Sequence, residues 1–488
     1  MNWRVKGRVK KTIEVGVLTC FVLLIVLPQM VGAQTPNPTA PGSPANPDRP
    51  PLNPFPQLGN WSSLKDPSKR TDFLDPIKYI PIGNGDSFLS FGLEYRIEYE
   101  RYTAYNFDMG PQDQAGYLMQ RVLPHMDVHL TNHFRIYTEF QFDYIDLRNG
   151  GPRSAIDQYH GLHQLFFEVG SNTTSSSGLN LLAGRQEIVE GRGRLFDNNE
   201  GPTVKLSFDG FRLRYASKKK GNVDVFAVKP VNDGLGYFDD WPVHTQTVWA
   251  VYASDIALGS IQPKLDLYYI GFDNEDASYV IGQGREIRHT LGGRFDKAVG
   301  RGFDFDWESA FQWGAFSDHS IHAYTVSTET GYTFVNSPGH IRPFLRFDVA
   351  SGGSSNHELN TFNSLFPRGA YITPKAAPPF ALDNVVDVHP MVWFQPVPHV
   401  ETSVGWDWFW RYRTNDGLYT FGGFPLINNS STRDRYIMQM GDMEIRWAPA
   451  QHVIAALNLM GTINGVFLNN TVKSHDITYA NLGFTYRF

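Results

Sequence analysis

Between Phe88 and Glu100 apolar and polar side chains alternate. Leu89, Phe91, Leu93, Tyr95, Ile97 and Tyr99 share one face, and Ser90, Gly92, Glu94, Arg96, Glu98 and Glu100 the other. A period of two marks a strand with two unlike faces. The same pattern recurs along the chain. Phe134, Ile136, Phe140 and Phe142 oppose Arg135, Glu139, Gln141 and Asp143. Phe303, Phe305, Trp307, Phe311 and Trp313 oppose Asp304, Asp306, Glu308 and Gln312. Val404, Trp406, Trp408, Trp410 and Tyr412 oppose Glu401, Asp407, Arg411 and Arg413. Segments of this kind fall near 88–100, 117–130, 133–145, 162–170, 178–187, 207–217, 221–231, 245–255, 261–272, 286–297, 302–315, 321–334, 339–349, 384–395, 398–413, 433–447, 451–463 and 475–488. The pattern therefore predicts about eighteen strands. The four runs above are 10 to 13 residues long, enough for a tilted strand to cross a bilayer.

The links alternate in length. Short ones occur at Thr131-Asn132, Lys218 to Lys220, Ala298 to Arg301, Val335 to Gly339, Pro396-Val397 and Ala448 to Ala450. The links between them are mostly long, at 101–116, 146–161, 188–206, 232–244, 350–383 and 414–432. A transmembrane barrel has this asymmetry, with short periplasmic turns and long external loops. Beyond the N-terminus no run of 18 apolar residues occurs, which excludes helical spans and leaves a closed sheet. The expected fold is all-β, a transmembrane antiparallel up-and-down barrel over 75–488. An even strand number puts both ends of the sheet on one side, expected to be periplasmic. The final strand, 481–488, ends on Leu482, Phe484, Tyr486 and a terminal Phe488, and resembles the signal read by the outer-membrane assembly machinery.

The first residues assign the compartment. Arg4, Lys6, Arg8, Lys10 and Lys11 precede an apolar stretch from Val15 to Val31, and Val31-Gly32-Ala33 fits a small-x-small cleavage site. Residues 1–33 read as a signal peptide, and 34–74 as a Pro-rich periplasmic segment, extended to about Gln57, with folded structure starting near Asp75 to Ile82. The only cysteine, Cys20, lies in the leader, so the mature chain has no disulfide or thiolate chemistry. Cleavage removes five basic residues and Glu14 and takes the formal charge from −6 to −10, which argues against nucleic acid as a partner.

If the apolar face meets lipid, the polar face lines a lumen. Its bases are nearly all arginine: Arg96, Arg121, Arg135, Arg212, Arg214, Arg288, Arg294, Arg342, Arg346, Arg411, Arg413, Arg446 and Arg487. Acids such as Glu94, Asp127, Asp143, Asp266, Asp407 and Glu444 interleave with them. A guanidinium keeps its charge in any surroundings and binds carboxylates through a planar fork. Such a ladder suits the passage of an anionic, hydroxyl-rich solute, with the acids limiting how tightly any one position holds it. The plain alternative is that each pair braces the wall. Asp304, Asp306 and Glu308 lie about 6–7 Å apart along one face. That is wide for a metal shell, and arginine partners across the lumen are expected instead. No catalytic motif occurs, so no enzyme, cofactor or metal is expected.

Several segments resemble the alginate-export family of outer-membrane porins. They are DPIKYIPIG at 75–83 with SFLSFGLEYRIEYE at 87–100, the stretch AGRQEIVEGRGRLFDNNEGPTVKLSFDGFRLRY at 183–215, and FNSLFPRGAY at 362–371. The middle stretch carries Gly184-Arg185-Gln186-Glu187, Arg194-Leu195, Glu200-Gly201-Pro202 and Ser207-Phe208-Asp209-Gly210. The resemblance implies an eighteen-stranded barrel with an arginine-rich constriction that passes an anionic polysaccharide outward. By position, Arg96, Arg121, Arg135, Arg212, Arg294, Arg346 and Arg446 would be wall or constriction bases, and Asp209 a loop or rim acid that organises them. Two positions depart from the family pattern: Asn199 stands where arginine is usual, and Thr203-Val204-Lys205 where Asn-Val-Arg is common. Strict alternation also points Arg185 outward, unless a bulge re-aims it or it lies beyond the bilayer. The reading covers export of an acidic exopolysaccharide such as alginate, with uptake of small carboxylates or sugars as the alternative. Expected partners are the solute, outer-membrane lipid and lipopolysaccharide, and periplasmic export components. The loop from Ala350 to Asp383 reads either as a plug or as a solvated surface loop.

Overall fold

Eighteen long strands hydrogen-bond in chain order and close on themselves in a computed structural model of the chain. The structure describes residues 50 and 52–488, apart from 84–85, 153–156, 174–176, 202, 218–220, 259–262, 298, 369–377, 429–431 and 473. The chain divides into Met1–Thr35 and Pro36–Phe488, and only the second unit holds described residues. The leader read over 1–33, and the Pro-rich stretch as far as residue 49, lie outside them.

The barrel strands are β1 (Phe88–Thr103), β2 (Tyr117–Thr131), β3 (Phe134–Asp146), β4 (His160–Gly170), β5 (Gly178–Gln186) and β6 (Phe208–Ser217). Next come β7 (Gly221–Asn232), β8 (Gln246–Ala257), β9 (Lys264–Tyr279), β10 (Gly282–Lys297), β11 (Gly302–Phe316) and β12 (His319–Thr333). The last six are β13 (Arg342–Ala350), β14 (Val385–Val397), β15 (Val400–Arg411), β16 (Tyr436–Ala450), β17 (Val453–Asn464) and β18 (Thr478–Arg487). Each pairs antiparallel with the next, and β1 closes on β18 with Glu94 opposite Arg487 and Arg96 opposite Thr485. Closure leaves no unpaired edge, which lipid requires.

Burial follows the alternation. Outward Phe211, Leu213 and Leu482 are exposed, whereas inward Glu94, Arg121, Glu139, Asp143, Arg288 and Gln312 are buried. Two hairpins run longer than their sequence suggested. β9 and β10 meet across Val280-Ile281, and β11 and β12 across Ser317-Asp318, where links of 273–285 and 316–320 were expected. Polar residues hide the strand signal there. Asp273 and Arg285, for example, face each other as an exposed pair at 2.6 Å rather than marking a loop.

The lumen is not wholly polar. Inward Phe208, Phe226, Val228, Val248, Ile270 and Phe272 form an apolar core with Ile188, Leu195, Phe196, Phe362 and Leu365 from two long loops. A second core joins Phe409, Met438, Met440 and Met460 on the wall to Phe107, Phe380, Leu418 and Phe467 in the loops. The polar-lumen expectation therefore fails in the half of the barrel that carries the long loops. There the wall has apolar residues on both faces because loops fold inward against it.

Packed structure is already present at Leu52, ahead of the 75–82 start expected from sequence. Leu52, Trp61 and Leu64 pack with Tyr79 and with Phe88 on β1. The Gln57 carbonyl accepts from Arg135 at 2.7 Å, and Lys205 donates to the Pro54 carbonyl at 3.1 Å. Low hydrophobicity misled the reading because a few apolar residues, with polar bonds beside them, are enough to hold this segment.

Candidate functional site

The distinctive stretch at 183–215 forms an end of β5, a loop over 187–207, and the start of β6. Its motifs meet face to face. Gly184 stands opposite Gly210, and Arg185 opposite Asp209. Both glycines adopt positive φ, 128° and 156°, and a Cβ at either would lie 2.3 Å from a carbonyl oxygen of the next strand. Glycine is needed for that close approach. Arg185 grips Asp209 with two bonds of 2.8 and 2.9 Å, donates to the Leu162 carbonyl at 3.0 Å, and pairs with Asp240. The β5–β6 register runs without a shift, so no bulge re-aims Arg185. Asp209 shares the strand face of exposed Phe211 and Leu213. It therefore does not join the inner ladder as a rim acid; it neutralises an outward arginine at the root of the loop.

From that root the loop turns into the lumen, and Glu200 becomes a hub. It accepts from Arg121 at 2.7 Å, lies 3.3 Å from Lys205, and is 3.5 Å from Arg96 and 3.7 Å from Arg487. Arg121 and Arg487 each also reach Glu94 at 2.5 Å, and Lys205 reaches Glu187 at 2.9 Å. Burial acts to raise the Glu200 carboxyl, but Arg121 and then Lys205 outweigh it and hold it at about 2. Glu187 is likewise held at about 2, because Lys205 and His163 overcome burial. Lys205 thus keeps a buried cation where the family commonly has arginine.

A second hub lies on β10 to β13. Asp306 accepts from Arg294 at 2.8 Å and from Arg194 at 3.0 Å, and lies 3.3 Å from Arg192. Glu308 accepts from Arg194 at 2.8 Å. Glu329 accepts from Arg346 at 2.8 Å and from Arg342 at 2.9 Å, and Arg342 also binds Asp304. The acids Asp304, Asp306 and Glu308 do have arginine partners. These come from nearby strands and from the loop, not from across an open lumen.

The structure therefore gathers Arg96, Arg121 and Arg487 at the first hub and Arg294, Arg342 and Arg346 at the second. Arg135 stands apart, bound to Asp127 at 2.7 Å and Glu168 at 3.0 Å. Arg212 holds Asp224 and Glu190, both at 2.8 Å, with Arg214 3.3 Å from Asp224. Arg446 lies 3.3 Å from Glu401. Arg411 leaves the ladder: it donates to the Asp416 and Asp434 carbonyls at 2.9 Å and sits 4.1 Å over the Phe467 ring. Its sequence neighbours alternate like a wall strand, but β15 ends at Arg411, and there the side chain fastens a loop.

Sequence reasoning quoted Arg194, Glu200 and Lys205 only as motif positions and gave no role to them, nor to Arg192 and Arg368, all in loops. Arg368 binds Asp197 at 2.8 Å and so ties the two inward loops together. The described part of the 351–384 loop up to residue 368 is not a solvated surface loop, since the Thr361 carbonyl accepts from Arg288 at 3.1 Å and the Asn363 N–H donates to Gln312 at 3.0 Å. Phe366 packs on Phe196, Phe208 and Phe272.

In many of these pairs the acid is the more buried member. Arg192 is 38% exposed against 9% for Asp306 and 5% for Glu329. Arg214 is 35% exposed against 7% for Asp224, and Arg368 33% against 0% for Asp197. In the pairs of these three arginines the guanidinium is the exposed partner; at the first hub the order reverses, with Arg121 at 0% against 22% for Glu200, and Arg446 and Glu401 are equal at 24%.

The profile of one family, described as alginate export, matches residues 87–480. The chain belongs to the alginate-export family. No curated protein matches it in sequence. Among solved structures, Pseudomonas aeruginosa OccK1 (OpdK) is 12% identical, with a TM-score of 0.56 over 82% of this chain and 98% of that one. Pseudomonas aeruginosa OccK3 (OpdO) is 10% identical, with a TM-score of 0.55 over 82% and 95%. OccD3 (OpdP) from the same organism is 11% identical, with a TM-score of 0.56 over 82% and 91%. These similarities show the fold, an outer-membrane porin barrel. Family and fold are those of channel proteins in the outer membrane.

Proposed function

We propose that this barrel exports an acidic exopolysaccharide, alginate or a related polyuronate, along the guanidinium-lined faces of Arg192, Arg214, Arg346 and Arg446. One observation carries the reading. In the Arg192, Arg214 and Arg368 pairs the solvent-facing partner is the arginine and the buried partner the acid. A passing carboxylate therefore meets fork-shaped cations already oriented from behind, and each held arginine can exchange partners without leaving its place. Interleaved acids keep any one position from retaining the polymer. With the termini at the short-turn end and that end periplasmic, the chain would receive the polymer from the Pro-rich side, where periplasmic export components and the leader-processed N-terminus meet.

A second reading is uptake of small carboxylates. The packing of both inward loops favours it, because the gap left between them is lined by Arg194, Tyr268, Glu308, Ser327, Phe362 and Arg368. A structure of OpdK, which shares this fold, is described as holding vanillate. Single-channel recording in a planar bilayer separates the readings. Under the export reading oligouronates block the current for longer as chain length grows, neutral dextrans do not, and Arg192→Ala with Arg346→Ala and Arg446→Ala removes the block. Block by vanillate-sized acids with none by oligouronates contradicts export.

A further inference from the structure

We propose that residues 52–64 are a plug seated in the mouth of the pore at the end where both termini emerge, with Lys205 as its latch. These residues precede β1, so they enter the lumen from that end. β5 runs away from it, and the 187–207 loop that follows enters from the opposite mouth. The two meet inside the barrel. Lys205 donates to the Pro54 carbonyl at 3.1 Å and lies 5.9 Å from the centre of the Phe55 ring. The Gln57 side-chain amide donates to Glu187 at 3.0 Å, and the Gln57 carbonyl accepts from Arg135 on β3 at 2.7 Å.

These contacts are those of a stopper, not of a piece of wall. Among the described residues before β1 only Ile80 and Pro81 pair with the sheet, opposite Leu89 and Phe88. Residues 52–64 lie ahead of that pairing and add no strand to the wall. Leu52, Trp61 and Leu64 instead seat on Tyr79 and on Phe88, which shares the inner face of Ser90 and Glu94. Tyr79 stacks on Phe88 at 4.6 Å, and Lys78 lies 4.9 Å over the Trp61 ring. The apolar seat is thus at the mouth, and the polar tip, Pro54 to Gln57, reaches the loop that comes from the other side.

The latch is shared with that loop. Lys205 is fully buried and also pairs with Glu187 at 2.9 Å and with Glu200 at 3.3 Å. Movement of the 187–207 loop therefore withdraws the cation from Pro54 and the carboxylate from Gln57 together, and the segment loses its deep contacts when the loop undocks. Carbonyls carry no net charge, so the bonds at Pro54 and Gln57 are weaker than the ion pairs around them and are the ones to give first.

Single-channel recording of the mature chain in a planar bilayer tests the plug, and none of its readouts depends on which solute passes. Deleting residues 34–64 should raise the conductance at least twofold. In the full mature chain, Trp61→Ala with Leu64→Ala removes the apolar seat and should produce repeated steps to that higher level. The sequence has one cysteine, Cys20, which precedes residue 34. Gln57→Cys and Glu187→Cys, added to the double variant, are therefore the only thiols of the mature chain. Joining them with a short reducible bismaleimide should restore the wild-type level, and reduction should release it again. A conductance unchanged by the deletion overturns the plug. If the shortened chain fails to assemble, the full-length variant decides: a conductance equal to wild type and indifferent to the cross-link overturns it too.

Discussion

Replacing Glu200 by Gln tests whether charge, rather than apolar packing, holds the 187–207 loop in the lumen. Four cations (Arg96, Arg121, Lys205, Arg487) meet four carboxylates (Glu94, Glu98, Glu187, Glu200) at this hub, all within ion-pair reach. Glu200 is the carboxylate that touches all four cations, and its neutral isostere leaves one positive charge in excess. Removing one partner of a buried pair costs about 3–5 kcal/mol, because the remaining charge stays buried. Glu200 is 22% exposed while Arg121 is 0%, so the lower figure applies, about 3 kcal/mol once solvent screening is allowed for. At about 1.4 kcal/mol per power of ten, the docked-to-undocked ratio of the loop falls roughly a hundredfold. Amide hydrogen exchange reads such local opening directly. Amides of residues 194–201 and 203–206 should exchange roughly a hundredfold faster in Glu200→Gln, with strand amides of β1 to β4 unchanged. Exchange within about threefold of wild type would refute the reasoning and assign the docking to Leu195 and Phe196 instead.

Other consequences follow from the same geometry. Phe196, which packs on Phe208, Phe226 and Phe366, should cost about 3–5 kcal/mol of loop docking when cut to alanine, visible as more frequent current fluctuations. Gly184→Ala should block correct assembly far more than Gly461→Ala, whose Cβ meets open space, as measured by the heat-modifiable band shift of the folded barrel. Burial, opposed by Ser364, pushes the Asp383 carboxyl up to about 7, outside the strands. A carboxyl raised on folding favours the folded loop below its unfolded value, and that stability is lost as pH rises from about 4 through 7. Protease nicking of the 351–384 loop should therefore increase between about pH 4 and 7 and level off above, and Asp383→Asn should abolish the change.

The strand frame was legible because alternation is a local signal. The run Phe88 to Glu100 states its two faces without reference to any other part of the chain, and β1 follows it. The interior was less legible. Arg194 meets Glu308 across 114 residues of sequence, and Arg368 meets Asp197 across 171. No periodicity encodes contacts at such separation. A partial signal existed in β7, where outward Val223, Val225 and Ala227 alternate with inward Phe226 and Val228. A strand apolar on both faces must be covered from inside as well as by lipid. Arg411 and Asp209 show the converse limit. Arg411 has the right residue type and parity for its assigned part and Asp209 the right type with outward parity, and strand ends and neighbouring loops decide what each side chain meets.

The most direct test of an anion-conducting, guanidinium-faced lumen is the reversal potential of the wild-type pore in a planar bilayer under a KCl gradient. A reversal potential displaced toward chloride, shrinking in Arg192→Ala with Arg214→Ala, is the predicted result. A potential displaced toward potassium, unchanged by those substitutions, would contradict the account.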